Sequence, residues 1–225
     1  MPIKFRTITS RADEPMSKST NKRQEAAVQR RQAILDAALE IFAEDGFAAT
    51  RLDDVAEKAG VAKGTIYLSF KDKEDLFEQL LISAVAPVFD KMETLTAEPE
   101  LSLDRLLQGI FALFRTQVLG TPRQDVIRLV ITEGRRFPRI AKIYHREVIS
   151  KGSEIVRRVA RAAYGRGELS SDELARFPQL VFAPMLLATI WENVFSRIEP
   201  LDVEGLLAAH RQVLTRTAAK KSSRS

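Results

Sequence analysis

Leu52-Asp53-Asp54-Val55-Ala56-Glu57-Lys58-Ala59-Gly60-Val61-Ala62-Lys63-Gly64-Thr65-Ile66-Tyr67-Leu68-Ser69-Phe70-Lys71 decides how this 225-residue chain is read. Two short helices crossing at a tight turn make three demands. A small residue must stand at the crossing, a residue tolerant of positive φ four positions later, and an apolar residue six beyond that to plug the second helix into a core. Ala56, Gly60 and Ile66 meet all three. Val55, Ala59 and Val61 add apolar surface, and Ile34, Leu39 and Phe42 upstream fall on one helical stripe able to close it. The pattern predicts helices from Arg51 or Leu52 to Ala59 and from about Lys63 to Ser69. Gly46 is placed to stop the preceding helix, and Thr50, with Asp53 three residues on, to cap the next.

The second of these helices carries chemistry on its outward face. Gly64 has no side chain, so a duplex can approach closely. Thr65 offers a hydroxyl and a methyl to base edges, Lys63 a cation to guanine or phosphate, and Tyr67 a phosphate contact through its hydroxyl. Ser69 lies beyond. Arg51, Lys71 and Lys73 flank the ridge, and the helix starts near Thr50 and Lys71 offer free N–H groups to phosphates. Phe70 is assigned to the core. Five basic residues between Arg31 and Asp72 oppose eight acids. A DNA-binding face therefore requires Asp36, Glu40, Glu44, Asp53, Asp54 and Glu57 to lie mostly on the side turned away from DNA.

Working outward, the chain reads as all-α with about nine helices and no alternating strand pattern. Asp72 caps a helix running toward Met92, which Pro87 is expected to kink. Further helices are expected over Leu103–Leu119, Pro122–Arg136, Ile140–Tyr164, Ser171–Phe195 and Val203–Ala218. Thr121 before Pro122, Ser170 with Glu173, and Asp202 before Val203 supply start signals. Residues 1–26 form a polar, basic arm expected to be disordered, 27–86 a three-helix head, 87–218 a helical body and 219–225 a basic tail.

Composition narrows the chemistry. The chain is 45% hydrophobic and 29% charged, with a formal charge of +5, no Cys and two His, His145 and His210. That excludes a disulfide framework, a Cys nucleophile and thiolate zinc sites, and leaves no metal or cofactor constellation. The longest uncharged run, Phe177 to Trp191, is 15 residues, too short for a membrane span. No cationic segment followed by an apolar run opens the chain, so a cytoplasmic, nucleoid-associated protein is expected. Ten Lys or Arg lie between Arg135 and Arg166. A solvated face explains such a cluster as readily as a polyanion partner.

The stretch Arg31-Gln32-Ala33-Ile34-Leu35-Asp36-Ala37-Ala38-Leu39-Glu40-Ile41-Phe42-Ala43-Glu44-Asp45-Gly46-Phe47, with Ala49-Thr50-Arg51, Val55-Ala56, Ala59-Gly60-Val61, Lys63-Gly64-Thr65-Ile66-Tyr67, Phe70-Lys71, Lys73 and Leu76-Phe77, resembles the DNA-binding domain of the TetR family of transcriptional regulators. The resemblance covers about residues 28–85. It implies a homodimer with a three-helix DNA-binding head and a helical body that usually binds a small effector. Residues matching Thr50, Lys63, Gly64, Tyr67 and Lys73 typically touch DNA. Two departures stand out: Ala62 replaces a frequent capping Ser, and Ser69 a frequent His or Tyr that contacts phosphate.

In the body, Phe111, Phe114, Tyr144, Phe182, Met185 and Trp191 are candidate liners of a pocket for a largely apolar small-molecule effector, although filling a core would use the same residues. Leu180, Leu187, Leu206, Leu207 and Val213 are candidate dimer contacts, because the helix around Phe177–Trp191 is apolar almost all round. The function expected is sequence-specific binding to a palindromic double-stranded operator by a repressor that an effector releases. A DNA-binding activator and an effector-independent regulator fit the same residues. An all-α enzyme or lipid carrier is discouraged: there is no Glu-x-x-His pair, His-Glu-x-x-His, phosphate loop or Gly-x-Gly-x-x-Gly.

Overall fold

The computed structural model describes residues 18–98 and 100–216, and every regular element among them is helical. α1 spans Lys18–Ala49, α2 Leu52–Lys58, α3 Lys63–Ser69 and α4 Lys73–Thr96. The body holds α5 (Leu103–Gln117), α6 (Pro122–Glu133), α7 (Pro138–Tyr144), a π-helical turn (His145–Ser150), α8 (Lys151–Gly165), α9 (Glu173–Arg176), α10 (Gln179–Val194) and α11 (Val203–Arg216). No described helix is long and apolar enough to cross a membrane.

The disordered arm expected over residues 1–26 is corrected: helix is present from Lys18, and only residues 1–17 lie outside the described residues, as does the tail after Arg216. Residues 22–33 are exposed on every side, so packing does not hold this extension. Lengthening an existing helix adds one hydrogen bond per residue fixed, and Lys, Arg, Gln, Glu and Ala tolerate it well.

Gly46 interrupts α1 as expected, at φ 77° and ψ 169°. Thr50, however, does not cap α2. Arg51 holds that position without a side-chain cap, and the Thr50 hydroxyl donates instead to the Gly46 carbonyl at 2.7 Å. Asp72 does cap α4, accepting from Asp75 N–H at 2.7 Å. Thr121 caps α6 and Asp202 accepts from Gly205 N–H at 2.9 Å. Ser170 caps nothing; α9 starts after Asp172 with no side-chain cap.

Two expected helices differ from plain α-helix. The stretch Ile140–Tyr164 is one rod that widens into the π turn at its middle. The stretch Ser171–Phe195 breaks at Phe177, whose ψ of 67° follows from the proline after it. Pro87 and Pro184 stay inside continuous helices.

Packing joins head and body. Ile34, Phe42, Val55, Ala56, Ile66, Phe70, Leu76 and Phe77 form one core with Val126 and Leu129 of α6 and Ile140 and Ile143 of α7. A second core joins α5, α8, α10 and α11 through Leu106, Leu107, Val156, Ala160, Val181 and Leu207. The boundary expected between residues 86 and 87 falls inside α4, which belongs to both parts.

Candidate nucleic-acid interface

The head places α3 by the three residues the sequence singled out. Ala56 is buried at the α2–α3 crossing, Gly60 turns the chain at φ 65°, and Ile66 is fully buried beneath the helix. Opposite Ile66, α3 presents Lys63, Gly64 and Tyr67 to solvent, with Thr65 half-exposed and Ser69 exposed. Tyr67 is 57% exposed and Phe70 only 1%, so the two aromatics divide between surface and core as their spacing predicts. A Cβ added at Gly64 would meet no atom of the protein within 4 Å. Glycine costs about 1 kcal/mol in a helix relative to alanine. The fold does not require it here, and the space beside it is open.

Electrostatics depart from expectation at Asp53. Glu40 and Glu44 on α1 hold Lys58 at 2.9 and 3.5 Å, and Asp36 accepts from Gln32 Nε2 at 2.8 Å, all away from the α3 ridge. Asp53 is the correction. It lies on the ridge, taking Lys63 Nζ at 2.8 Å on one carboxylate oxygen and Tyr67 OH at 3.1 Å on the other. These hydrogen bonds hold the Asp53 carboxyl below the usual carboxylate range and raise both Lys63 and Tyr67 above theirs. Sequence reading missed the triad because α2 and α3 meet only in three dimensions, although spacings of 10 and 14 residues from Asp53 were there to test.

The flanking residues divide. Arg51 and Lys71 are exposed. Thr50 is buried with its hydroxyl committed to Gly46, so its side chain does not face out. The Lys73 ammonium is spent inside the protein: it donates to the carbonyls of Phe47 at 2.7 Å and Ala48 at 2.9 Å, and sits 4.9 Å over the Phe47 ring. Two of the amides at the start of α4 are engaged within the protein: Lys71 N–H donates to the Asp75 carboxylate at 3.0 Å and Asp75 N–H to that of Asp72 at 2.7 Å. α2 and α3 begin without side-chain caps, Ala62 offering none, and Ser69 turns its hydroxyl back to Thr65 O at 2.9 Å.

A set of contacts invisible in the sequence bolts the head to the body. Glu133, the last residue of α6, accepts from Phe47 N–H at 2.8 Å and Ala48 N–H at 3.2 Å. Arg128 donates to Ala43 O at 2.8 Å and Arg123 to Ala84 O at 2.6 Å. The Phe137 ring meets Phe47 edge-on at 5.0 Å. Arg139 pairs with Asp72 at 3.1 Å, and together with the Asp75 N–H this holds the Asp72 carboxyl low. Much of the basic cluster between Arg135 and Arg166 is neutralised in this way. Arg146 pairs with Glu78 and Glu147, Lys151 with Glu147 and Arg166 with Glu168.

The six candidate pocket residues do not form one lining. Phe111 and Phe114 of α5 share the second core with Phe182 and Met185 of α10. Tyr144 packs instead against the head core, where burial pushes its phenol up to about 12. Trp191 turns to Glu199, donating to its carbonyl at 2.6 Å, and tilts against Phe195. A recess of about 220 Å³ lies elsewhere, between α1, α4 and the start of α6, lined in part by Leu35, Asp36, Leu39, Leu80 and Arg123. Of the candidate dimer contacts, Leu180, Leu187 and Val213 are exposed and Leu206 half-buried. Leu207 is only 2% exposed and belongs to the protomer's own core, a correction that follows from its facing α5 and α10. Phe177, Leu186, Ile190, Val194, Phe195 and Ile198 extend the exposed apolar band.

Two short helices crossing over Ala56, with an outward ridge on the second, define a helix-turn-helix DNA-binding protein. Residues 34–80 match the model of bacterial regulatory proteins of the tetR family, and residues 105–202 that of the AefR-like transcriptional repressor C-terminal domain. The chain belongs to the TetR family of transcriptional regulators, which are not enzymes. It is 26% identical over 179 residues to the HTH-type transcriptional regulator SrpR of Pseudomonas putida, covering 79% of this chain and 81% of that one. It is 30% identical over 108 residues to the uncharacterized HTH-type transcriptional regulator TtgW, also of Pseudomonas putida, covering 48% and 77%. Among solved structures, the fatty acid degradation regulator FadR from Bacillus halodurans superimposes with a TM-score of 0.61 at 25% identity, covering 83% of this chain and 94% of that one.

Proposed function

We propose that this regulator is a repressor. As a homodimer it sets two α3 ridges into successive major grooves of a palindromic operator, and a small, largely apolar effector bound in the body releases it. The α3 ridge carries the reading. Lys63, Gly64 and Tyr67 project together from a helix whose inner face is sealed by Ile66, and the bare surface at Gly64 leaves room for the groove floor. The exposed apolar band of α10, with Leu180 and Leu187, supports pairing with a second copy, since water-facing surface of that kind is more than one protomer needs.

Repression is supported by the repressor description attached to the match over residues 105–202. An apolar effector is supported by the apolar second core, to which Phe111, Phe114, Phe182 and Met185 all contribute, and by the likeness to a fatty acid degradation regulator. The test selects genomic fragments that the chain retains and titrates the shortest bound duplex by fluorescence anisotropy. Lys63→Ala and Tyr67→Ala should each weaken binding about tenfold, and long-chain fatty acids should lower the affinity of the unaltered chain. Unchanged binding by both variants would overturn the assignment of α3. Indifference to fatty acids and to flat aromatic compounds alike would remove the effector from the reading.

A further inference from the structure

The bond pattern of Asp53 calls for an account of its own. Both of its carboxylate oxygens are engaged, one by Lys63 and one by Tyr67, residues one turn apart on α3 and the two strongest phosphate-seeking groups of the ridge. The Lys63 side chain is 70% exposed and that of Asp53 30%, so water reaches the pair. Exposed ion pairs of this kind contribute little to folding. The same negative charge on a surface that must approach phosphates acts on every duplex that binds. The magnitudes therefore weigh against a mainly structural role for this acid and toward one in binding.

We propose that Asp53 is an affinity-setting residue whose carboxylate stands in, within the free protein, for a DNA phosphate. The proposal rests on the reading of α3 as the recognition helix. A tetrahedral phosphate and a carboxylate both offer paired anionic oxygens, and Lys63 and Tyr67 already sit around one such pair. On binding DNA these two side chains exchange the Asp53 oxygens for phosphate oxygens, and no bond but hydrogen bonds is made or broken. Two consequences follow. Affinity for DNA of any sequence is lowered, because the pair must be opened and the freed carboxylate then faces phosphates. The salt dependence is also lowered. Lys63 displaces a counterion from DNA, but Asp53, left without its partner, gathers one from solution, so the net release falls by about one ion. Sequence choice is untouched, since the exchange costs the same on every duplex.

The test is a set of anisotropy titrations of the full chain across a range of KCl concentrations. Two duplexes are used: one selected from bound genomic fragments, and a scrambled duplex of the same composition. Asp53→Asn should raise affinity for both by about threefold to fivefold, steepen the log–log salt slope by about 0.9, and leave the ratio between the duplexes within about twofold. Asp53→Ser, which lacks the amide, should behave alike, and circular dichroism verifies that both variants keep their helix content. In a Lys63→Ala background most of the gain from Asp53→Asn should vanish.

Other results overturn the proposal in distinguishable ways. If Asp53→Asn changes neither affinity nor slope while Lys63→Ala and Tyr67→Ala weaken binding, α3 still reads DNA and Asp53 is a bystander. If the gain is confined to the selected duplex, Asp53 acts on bases. If it is equally large without Lys63, the effect is general charge and not exchange. If Lys63→Ala and Tyr67→Ala both bind normally, the reading of α3 falls and this proposal with it.

Discussion

Replacing Glu133 tests how the body holds the head. Its carboxylate accepts two backbone N–H groups, from Phe47 at 2.8 Å and Ala48 at 3.2 Å. Hydrogen bonds to a charged acceptor are worth about 1.5–3 kcal/mol each, and a buried donor left without one costs about 1–3 kcal/mol. Phe47 is fully buried, so its N–H loses everything on truncation, whereas Ala48 is half-exposed and recovers a water. Glu133→Ala should therefore cost about 3 kcal/mol. Glu133→Gln keeps one oxygen for Phe47 but turns an NH₂ toward Ala48, and should cost about half as much.

The assay is urea unfolding of the full chain followed by far-ultraviolet circular dichroism, at one protomer concentration because association shifts apparent stability. Amide exchange at Phe47 and Ala48 reads the same bonds directly and should quicken in both variants. Lys73→Met removes the cation from the carbonyls of the same two residues, and combined with Glu133→Ala its effect should be clearly non-additive. Stabilities within about 0.5 kcal/mol of the parent, with unaltered exchange at both amides, would refute the reasoning, because bonds of that strength cannot vanish silently.

Three further outcomes are expected. Gly46→Ala should destabilise by roughly 2–3 kcal/mol, since the residue has φ 77° and its Cβ would lie 2.5 Å from the Glu133 carboxylate; a melting temperature equal to the parent's contradicts this. Leu187→Glu combined with Leu180→Glu should convert a dimer to protomers in light scattering without loss of helix, because both side chains are more than 40% exposed on α10. Asp72 is held low by the Asp75 N–H and by Arg139, so its ionised form stabilises the fold above its unfolded value of about 3.9, and that contribution is lost as pH falls through the lower folded value. The stability gap between the parent and Asp72→Asn, below about 1 kcal/mol because asparagine also caps well, should be flat from pH 5 to 8 and close below about pH 4; a gap as wide at pH 3 as at pH 7 rules this out.

Where the controlling signal is local, the sequence is legible. The bounds of α2 and α3 follow from Ala56, Gly60 and Ile66, and the starts of α4, α6 and α11 from Asp72, Thr121 and Asp202, all within four residues of what they control. The exposed ridge at Lys63, Gly64 and Tyr67 is legible for the same reason, being the far side of a helix anchored by one buried isoleucine. Prolines are harder. Pro178 falls at the break between two helices while Pro87 and Pro184 each ride inside one, so a proline alone does not say whether a helix ends. The helical start at Lys18 escaped because no apolar stripe is needed to prolong a rod already formed. Pairings of longer range were beyond reach: Lys73 with the Phe47 carbonyl, and Glu133 with the Phe47 N–H 86 residues earlier, leave no periodic trace.

The Phe47–Ala48 peptides are gripped from opposite edges, their N–H groups by Glu133 and their carbonyls by Lys73. Such a segment behaves like an axle seated in two bearings on different parts of a machine. A shift of α6 by even the slack in a hydrogen bond, a few tenths of an ångström, must either let go of the amides or carry the root of α2 along with it. Since α3 packs on α2, whatever carries that root reaches the ridge as well.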